Sequence, residues 1–332
     1  MIRVGILGLG FIGRTHAAGY VAAKAAGLPV EIVAVCDANP ALRAKLVQPG
    51  EASGLGPVLS GARWHTEPGQ LLADPGIDLV SVCTYTESHA ELAIVALRAG
   101  KHVLVEKPVA LCEQDVRPVL DAARDSSRVC MPAMCMRFWP GWTWLKQRID
   151  DGTLGRVRSA AFQRLAAPPS WGVEFFRDET RSGGALVDLH IHDADFVRWC
   201  FGEPTRVSTV GTLAHLTTQY RFAAGPAHVV AEGAWDHGPG FPFRSRFCVA
   251  FERATVEYDS NREAPLMCYQ DGAATVIETE IRSGWELEIR ELVDCLARGE
   301  RPTRSTIEDA AATARLLDAE RASLERGTPV EL

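Results

Sequence analysis

The first third of the chain alternates short apolar runs with amphipathic stretches. The apolar runs are rich in Val, Ile and Leu and fit buried strands, whereas the stretches between them repeat apolar positions at helical spacing. Strands joined through helices are typical of βαβ units, which build a parallel sheet. The pattern predicts strands at residues 3–7, 31–36, 79–84, 102–106 and 129–134, with helices that include 88–99 and 114–125.

Beyond residue 154 the pattern changes, because strand-like runs follow one another with only turns between them. Such a succession is typical of an antiparallel sheet, so the chain is expected to form two domains. The predicted strands cover residues 207–213, 217–222, 228–235, 244–251 and 254–258, with helices at 285–298 and 306–326 and a surface loop at 49–61.

Composition narrows the class of partner. The 332 residues are 47% hydrophobic and carry 35 Lys+Arg against 42 Asp+Glu, a net charge of −7. Because the chain has no run of basic residues, nucleic acid and anionic membranes are not expected as partners. A small molecule is the expected partner. No apolar stretch reaches the roughly 18 residues of a membrane span, so neither secretion nor insertion is expected. The nine cysteines lack a CxxC pair, which predicts reduced thiols in a cytoplasmic protein.

A glycine-rich segment, GILGLGFIG, covers the end of the first predicted strand and the turn after it. In its GxGxxG pattern Gly8 permits a tight turn, Gly10 lets the backbone approach a pyrophosphate, and Gly13 lets the helix pack on the strand. The alternative is a turn whose glycines serve backbone shape alone. The position between a strand and a helix favours dinucleotide binding.

Asp37 ends the second predicted strand, in the sequence VAVCD. A carboxylate there can accept hydrogen bonds from an adenosine ribose and repel a 2′-phosphate, which favours NAD over NADP. The alternative is an Asx turn formed with Asn39 and Pro40.

The sequence AGKHVLVEKP brings Glu106 and Lys107 to the end of another buried strand. Ligands of a doubly wound sheet bind beyond the carboxyl ends of its strands, so both residues are expected to face the reactive end of the cofactor. A lysine there can bind the oxygen of an alcohol or ketone and stabilise negative charge on it. The alternative is a surface ion pair before a proline turn.

The segment GGALVDLHIHDAD, residues 183–195, concentrates three aspartates and two histidines. A carboxylate beside an imidazole can tune its proton affinity, which suits proton transfer. His190 and Asp193 point elsewhere and are interpreted as structural. The alternative is a metal site, but no HExxH or second His/Asp pair supplies further ligands, so no metal is expected. At about 100° per helical residue, one face within about 60° holds Asp188, His192, Asp195 and Trp199.

Aromatic residues are frequent between 138 and 176, and core packing is the expected role of most of them. Trp171 and Phe176 precede the polar segment in a proline-rich loop and are the candidates for substrate contact. The set consists of Phe138, Trp139, Trp142, Trp144, Trp171, Phe175 and Phe176.

Five motifs occur in order along the first 200 residues, and as a set they resemble the Gfo/Idh/MocA family of sugar and inositol dehydrogenases. They are GLGxIGxxHA at 8–17, CTxxxxH at 83–89, AGKHVxxEKP at 99–108, RFxP at 137–140 and SGGALxDxxxHDxDxxRW at 182–199. The resemblance implies a Rossmann doubly wound parallel sheet in residues 1–128. For residues 129–332 it implies an α/β domain with a large, mostly antiparallel open sheet that serves substrate binding and oligomerisation. It also implies a nicotinamide cofactor and a homodimer or homotetramer, and helix 306–326 is a candidate to pack back on the Rossmann domain.

The resemblance also implies roles for single residues. Lys107 contacts the substrate hydroxyl and stabilises its charge, His192 is the general base, and Asp188 orients the substrate or the imidazole. Arg137 matches a position that helps hold the nicotinamide or the substrate. The remaining implied cofactor contacts are Gly8, Gly10, Phe11, Ile12, Gly13, Asp37, Cys83, Thr84, His89 and Glu106, with Lys107 at the nicotinamide end.

Two positions depart from the family pattern, since Tyr85 stands where proline is usual and His190 where a small residue is usual. The predicted function is an NAD-dependent oxidoreductase that transfers a hydride between its cofactor and a hydroxyl or ketone of a sugar, polyol or inositol. One alternative is a redox-assisted glycoside hydrolase that recycles NAD. The other is a non-catalytic NAD-sensing regulator, although a pure binder has no need of Lys107, Asp188 and His192 together.

Overall fold

The computed structural model describes residues 1–48 and 53–332 and separates into two compact units. Unit 1 consists of Met1–Ala110, Gln114–Phe138 and Arg282–Ala311, and unit 2 consists of Leu111–Glu113, Trp139–Ile281 and Ala312–Leu332. This division differs from a single boundary after residue 128, because residues 129–138 and 282–311 group with unit 1.

Unit 1 contains a six-stranded sheet whose neighbouring strands are all parallel. Its strands are β1 Ile2–Leu7, β2 Val30–Cys36, β3 Arg63–His65, β4 Leu79–Val82, β5 His102–Val105 and β6 Cys130–Pro132. Their order is β3-β2-β1-β4-β5-β6, which reverses between β1 and β4 and opens a crevice at the carboxyl ends of those strands. The helices up to residue 125 are α1 Phe11–Ala25, α2 Ala41–Leu46, α3 Gly56–Gly61, α4 Pro68–Leu72, α5 His89–Arg98 and α6 Glu113–Asp125, with a 3₁₀ turn at Thr86–Ser88.

The five strands predicted for this part of the chain are confirmed, with ends that differ by about two residues. All four residues of β4 are buried, and such strands stand out in a sequence because both of their faces are covered. The prediction misses β3, an edge strand of three residues that is too short to show a period. Of the loop predicted at 49–61, residues 49–52 lie outside the described residues, and Gly56–Gly61 is helical rather than a loop.

Unit 2 contains a nine-stranded sheet in the order β14-β13-β12-β11-β7-β10-β9-β8-β15. The neighbours β7 and β10 are parallel, and the other pairs are antiparallel, as predicted. The strands are β7 Val157–Leu165, β8 Arg206–Gly211, β9 His215–Arg221, β10 His228–Ala234, β11 Arg244–Phe251, β12 Thr255–Asp259, β13 Leu266–Gln270, β14 Ala273–Val276 and β15 Val330–Glu331.

One face of this sheet packs on helices through an aromatic core. Trp142 is fully buried, with its ring centroid 4.8 Å from that of Phe196 and 5.2 Å from that of Phe247. The core role predicted for Trp142 is therefore confirmed. The helices of this region are α7 Pro140–Asp151, α8 Val173–Arg177, α9 Glu179–Ser182, α10 Gly184–Asp188 and α11 Ile191–Phe201, and a 3₁₀ turn at Cys135–Arg137 precedes them.

The last two helices, α12 Gly284–Arg298 and α13 Ile307–Arg326, belong mainly to different units. An apolar stripe with Ile289 anchors α12 in the core of unit 1, where a Cβ on Gly19 of α1 would lie 2.6 Å from the Ile289 side chain. Helix α13 instead forms hydrogen bonds with buried polar groups of the unit 2 sheet. Its Ser323 Oγ accepts a hydrogen bond from the Thr209 N–H at 3.0 Å. Helix α12 therefore returns to unit 1, and so does the first turn of α13, where Asp309 pairs with Arg137 at 2.9 Å, while the rest of α13 groups with unit 2.

Within the two described ranges, 1–48 and 53–332, no helix combines the length and the apolar character that a bilayer crossing requires. The cysteines of the same ranges form no disulfide.

Candidate functional site

The glycine-rich turn between β1 and α1 has the backbone shape that a dinucleotide needs. Gly8 has a φ of +86°, and a Cβ there would lie 2.6 Å from the carbonyl oxygen of Cys83. A Cβ on Gly13 would lie 1.9 Å from the Gly8 carbonyl oxygen, whereas a Cβ on Gly10 would meet nothing within 4 Å. Packing therefore requires two of the glycines, and Gly10 keeps the approach to the N-terminus of α1 open for a pyrophosphate.

Asp37 follows β2 and holds the same turn. Its Oδ2 accepts a hydrogen bond from the Leu9 N–H at 2.8 Å, and its Oδ1 accepts one from the Asn39 N–H at 2.9 Å. The second bond is the Asx turn that the sequence offered as an alternative, so the residue forms that turn and also borders the glycine loop. The carboxylate is partly exposed, and each of its oxygens has a further lone pair with which to accept a ribose hydroxyl.

Phe11 and Ile12 open helix α1. Phe11 is exposed and its ring lies edge-on to Trp285 at 6.1 Å, whereas Ile12 packs against the core of unit 1. Phe11 is therefore the member of this pair that presents a surface to a ligand.

The loop after β4 is tied to the EKP motif by a buried histidine. The Nε2 of His89 lies 2.9 Å from the Thr84 carbonyl oxygen, and its Nδ1 lies 2.8 Å from that of Pro108. Burial lowers the pKa of His89, against the two carbonyl oxygens that act to raise it. Burial also raises the pKa of the Cys83 thiol, so an unreactive thiol is expected. His89 therefore positions the loop and is not an exposed cofactor contact. Tyr85, at the position where proline is usual, is exposed.

A buried polar network begins beside Lys107, which follows β5 and is partly exposed. The Lys107 N–H donates to Glu106 Oε2 at 3.1 Å, and Glu106 Oε1 lies 3.0 Å from His16 Nε2. The other nitrogen of His16 lies 3.3 Å from Ser81 Oγ, which in turn lies 2.7 Å from the Tyr20 hydroxyl. Because Glu106 is buried in this network, the alternative of a surface ion pair is excluded.

Glu288 of α12 adds a second carboxyl group to the network. It is fully buried, and neither of its oxygens has a hydrogen-bond partner among the described residues. Burial, together with the charge of Glu106, raises the pKa of Glu288 well above its ordinary value. One ligand atom each from Glu288, Glu106 and His16 lies within 4.8 Å of the others. Glu288 therefore keeps its proton to higher pH than an ordinary carboxyl group, close to the Glu106–His16 pair.

Arg137 lies away from any open surface. It is 2% exposed, pairs with Asp309 Oδ2 at 2.9 Å and donates to the Arg304 carbonyl oxygen at 2.8 Å. Burial raises the pKa of Asp309, but the Arg137 charge outweighs it and leaves the pKa below its ordinary value. The guanidinium binds groups in the interior of unit 1. This arrangement does not support the predicted cofactor contact.

The polar segment at 183–195 forms two helices rather than one. Helix α10 ends at Asp188 and α11 begins at Ile191, and the N–H groups of Leu189 and His190 both point at the Ala185 carbonyl, at 3.1 and 2.8 Å. The hydrogen bond from the His190 N–H to the carbonyl of Ala185, five residues earlier, widens the helix locally. The helical spacing of 100° per residue therefore does not continue across the break. The prediction of one regular helical face through Asp188 and His192 is therefore wrong.

His190 and Asp193 are structural, as predicted. His190 is fully buried, and its Nε2 lies 2.9 Å from Glu320 and 3.1 Å from the Tyr220 hydroxyl. Burial lowers the pKa of His190, but the Glu320 carboxylate outweighs it, so the pKa is raised. Asp193 is also fully buried and pairs with Arg164 at 2.8 Å.

Asp195, which the sequence placed on one face with Asp188 and His192, differs from both in burial. It is fully buried and accepts a hydrogen bond from Thr313 Oγ1 at 3.0 Å. Of the five polar residues in the segment, only Asp188 and His192 are partly exposed. Two groups in the described part of the chain have the spacing of metal ligands, and neither includes these two residues.

Trp171 and Phe176 lie in one aromatic row of unit 2. Trp171 is 61% exposed, and its ring centroid lies 6.4 Å from that of Phe176. Phe176 in turn lies 5.9 Å from Trp235, the residue after β10. The row therefore runs from the exposed ring of Trp171 through Phe176 to the buried ring of Trp235.

Sequence reasoning missed His16, Glu288 and Trp235. His16 belongs to the motif GLGxIGxxHA, so a signal was present. Glu288 precedes Ile289 on an amphipathic helix, where an acidic residue gives no sign of burial. Trp235 is found only through its tertiary contact with Phe176.

Two family models match this chain. One is described as "Oxidoreductase family, NAD-binding Rossmann fold" and matches residues 2–134, and the other, the "GFO/IDH/MocA C-terminal domain", matches residues 142–257. Together they cover most of the sequence.

Two of the similar proteins are dehydrogenases by name. The levoglucosan dehydrogenase of Pseudarthrobacter phenanthrenivorans is 33% identical over 218 residues, and the match spans only about half of that protein (63% of this chain and 53% of the relative). The scyllo-inositol 2-dehydrogenase (NAD(+)) of Bacillus subtilis is 27% identical over 100% of this chain and 96% of the relative.

A solved levoglucosan dehydrogenase in complex with NADH and levoglucosan has the same fold. Its TM-score is 0.87 at 22% identity, with 100% of this chain and 99% of that chain covered. This likeness shows the fold, and the two family models show that the chain belongs to the Gfo/Idh/MocA oxidoreductase family, whose N-terminal domain is an NAD-binding Rossmann fold.

Proposed function

We propose that the protein is an NAD-dependent dehydrogenase that oxidises a hydroxyl of a sugar, polyol or inositol, or reduces the corresponding ketone. The observation that carries the proposal is the division of residues 188–195 by burial: Asp188 and His192 are partly exposed, whereas the other polar side chains of the segment are fully buried. The names of the relatives support the same substrate class.

In the proposed reaction the substrate hydroxyl contacts both Lys107 and His192. NAD, when bound, accepts the hydride that leaves the carbinol carbon. His192 takes the hydroxyl proton, and the Lys107 ammonium offsets the negative charge that grows on the oxygen. Asp188 orients the substrate or the imidazole. In ketone reduction His192 returns the proton to the oxygen.

Preference for NAD over NADP is proposed from Asp37. Its carboxylate is held beside the glycine turn by the Leu9 N–H, so a ribose 2′-phosphate would meet a fixed negative charge. We expect NAD to bind at least about tenfold more tightly than NADP, a difference of about 1.4 kcal/mol.

The test is a screen for formation of the reduced cofactor with inositols, polyols, neutral sugars, sugar acids and N-acetyl sugars, each with NAD and with NADP. We expect turnover of at least one class with NAD. Lys107→Met should lower kcat/KM at least about 100-fold, the cost of losing one donor to a developing oxyanion. Lys24→Met, on the exposed side of α1, is the matched control and should leave kcat/KM unchanged.

Two outcomes of the screen would contradict the proposal. If glycosides are added to the panel and the products are analysed, release of free sugar without net NADH would identify a redox-assisted glycoside hydrolase. Tight NAD binding without turnover of any class would identify a regulator.

We also propose a homodimer or homotetramer formed through the open face of the unit 2 sheet. Residues along β7 alternate between buried and partly exposed, and Val210, Tyr269 and Val276 are exposed apolar side chains on its strands. Light scattering of the purified protein tests this, and a monomer at micromolar concentration would contradict it. A cytoplasmic location stays a prediction from the scattered cysteines.

A further inference from the structure

A cluster of metal-ligand side chains lies where β9 begins and β10 ends, in unit 2. The antiparallel register places His215, the first residue of β9, opposite Ala234, the last residue of β10. The chain then continues through Asp236 and His237. His215 Nδ1 lies 2.9 Å from Asp236 Oδ1, and one ligand atom each from His215, Asp236 and His237 lies within 4.8 Å of the others. The end of the strand pair and the segment after β10 therefore bring two imidazoles and a carboxylate together.

The His237 ring is held in place and is only partly satisfied. It stacks on Phe241 with ring centroids 4.1 Å apart and planes 14° apart. Its Nε2 is shielded from solvent and has no hydrogen-bond partner within the described part of the chain. A shielded polar nitrogen without a partner costs free energy, so its presence points to a partner of another kind.

A second carboxylate fixes the His215 ring from behind. His215 Nε2 lies 3.1 Å from Glu232 Oε1, and Glu232 Oε2 accepts a hydrogen bond from Gln163 Nε2 at 2.7 Å. When Nε2–H donates to Glu232, the lone pair of Nδ1 is directed at Asp236. Carboxylates of this kind hold the tautomer of metal-binding histidines and increase their basicity.

We propose that His215, Asp236 and His237 bind a divalent ion of the zinc class, with Glu232 as the outer partner of His215. Two nitrogens and one oxygen suit Zn²⁺, Co²⁺ and Ni²⁺ better than Mg²⁺ or Ca²⁺, which prefer oxygen ligands. His215 and Asp236 are partly exposed, so water can complete the coordination. The ion would join the start of β9 to the segment after Trp235, whose ring packs on Phe176.

Protons compete with this ion. A proton on the ligating nitrogen of an imidazole blocks metal binding. Metal binding must displace that proton, and the apparent affinity should therefore increase from pH 6 to pH 8.

The test is a titration of the chelator-treated, tag-free full chain with Co²⁺, followed by visible absorption. We expect one Co²⁺ per chain, with the intense bands of a four- or five-coordinate ion, and full displacement by Zn²⁺. His237→Asn and Glu232→Gln should each weaken Co²⁺ binding at least about tenfold. His228→Asn, at the exposed start of β10, is the matched control and should bind Co²⁺ as tightly as the wild type.

Two results would overturn the proposal. One is a dissociation constant weaker than about 0.1 mM at pH 8, far from that of a built site. The other is undiminished binding by the double variant His215→Gln/His237→Asn. Melting temperatures check that the variants fold. If His237→Asn does not fold, Asp236→Asn, at an exposed position, carries the same expectation of tenfold weaker binding.

Discussion

In the turn after β1, one glycine is required for packing and another leaves room for a ligand. Gly13 and Gly10 belong to one motif, yet a Cβ has no room at the first and open space at the second. The sequence predicted the motif and its glycine roles. It could not say which glycine is needed for packing in this chain, because the neighbours of each Cβ are set by the whole turn.

The first prediction compares these two glycines. Gly10→Ala should leave the melting temperature within about 2 °C and raise the dissociation constant of NAD at least about tenfold, because the added methyl group occupies the pyrophosphate approach. Gly13→Ala should lower the unfolding free energy by more than about 2 kcal/mol, since the Cβ would collide with the Gly8 carbonyl. Calorimetry and urea denaturation check the pair. Equal effects of the two substitutions on NAD affinity and on stability would contradict the assignment.

The second prediction concerns Glu288, whose folded pKa is raised well above 4.5. The unfolded chain releases this proton near its ordinary pKa and the folded chain keeps it, so folding loses stability as pH rises above about 4.5. Glu288→Gln cannot ionise. It should therefore match the wild type at pH 4 and exceed it at pH 7 by at least about 1.4 kcal/mol, the value of one pKa unit.

Urea denaturation of Glu288→Gln at both pH values checks this sign. Glu91→Gln, at an exposed position of α5, is the control and should show the same difference from the wild type at both. A Glu288→Gln variant that becomes less stable than the wild type as pH rises would contradict the neutral carboxyl group.

At the scale of elements, the break between α10 and α11 is what the sequence could not predict. A Cβ on Gly233 of β10 would lie 2.9 Å from the Cβ of His190, so the close approach of this segment to the sheet depends on a residue far along the chain. Helical periodicity found the polar residues but assumed one regular helix. The strands β4 and β5 were found because burial on both faces leaves a signal in the sequence itself.

The third prediction compares the effects of substituting two aspartates, one on either side of this break, on stability and on turnover. Asp193→Ala would leave the Arg164 guanidinium buried without its carboxylate and should cost about 3–5 kcal/mol of unfolding free energy. Asp188→Ala, at a partly exposed position, should cost less than about 1 kcal/mol but lower kcat at least about tenfold. Urea denaturation and steady-state kinetics measure both effects. Similar stability losses in the two variants would contradict the division into structural and catalytic aspartates.

At the scale of the whole molecule, the sequence predicted two sheets of the right kind but not how the chain is divided between the units. Helix α12 returns to unit 1 because Ile289 and its apolar neighbours enter that core, and α13 stays mainly with unit 2 because its buried polar residues pair there. The residues that α12 and α13 contact are brought together only by the folding of the two sheets, so the sequence pattern does not reveal them. The substrate class depends likewise on loops whose conformations a sequence pattern does not give.

The central claim is that His192 takes the substrate proton while Lys107 stabilises the oxygen. The most direct test is the rate of NADH formation by His192→Asn, with the best substrate of the screen, against His228→Asn as the matched control. The account predicts a kcat lowered by about 10²–10⁴, NAD affinity within about twofold of wild type, and an unchanged control. A His192→Asn variant that keeps a kcat within about twofold of wild type would contradict it.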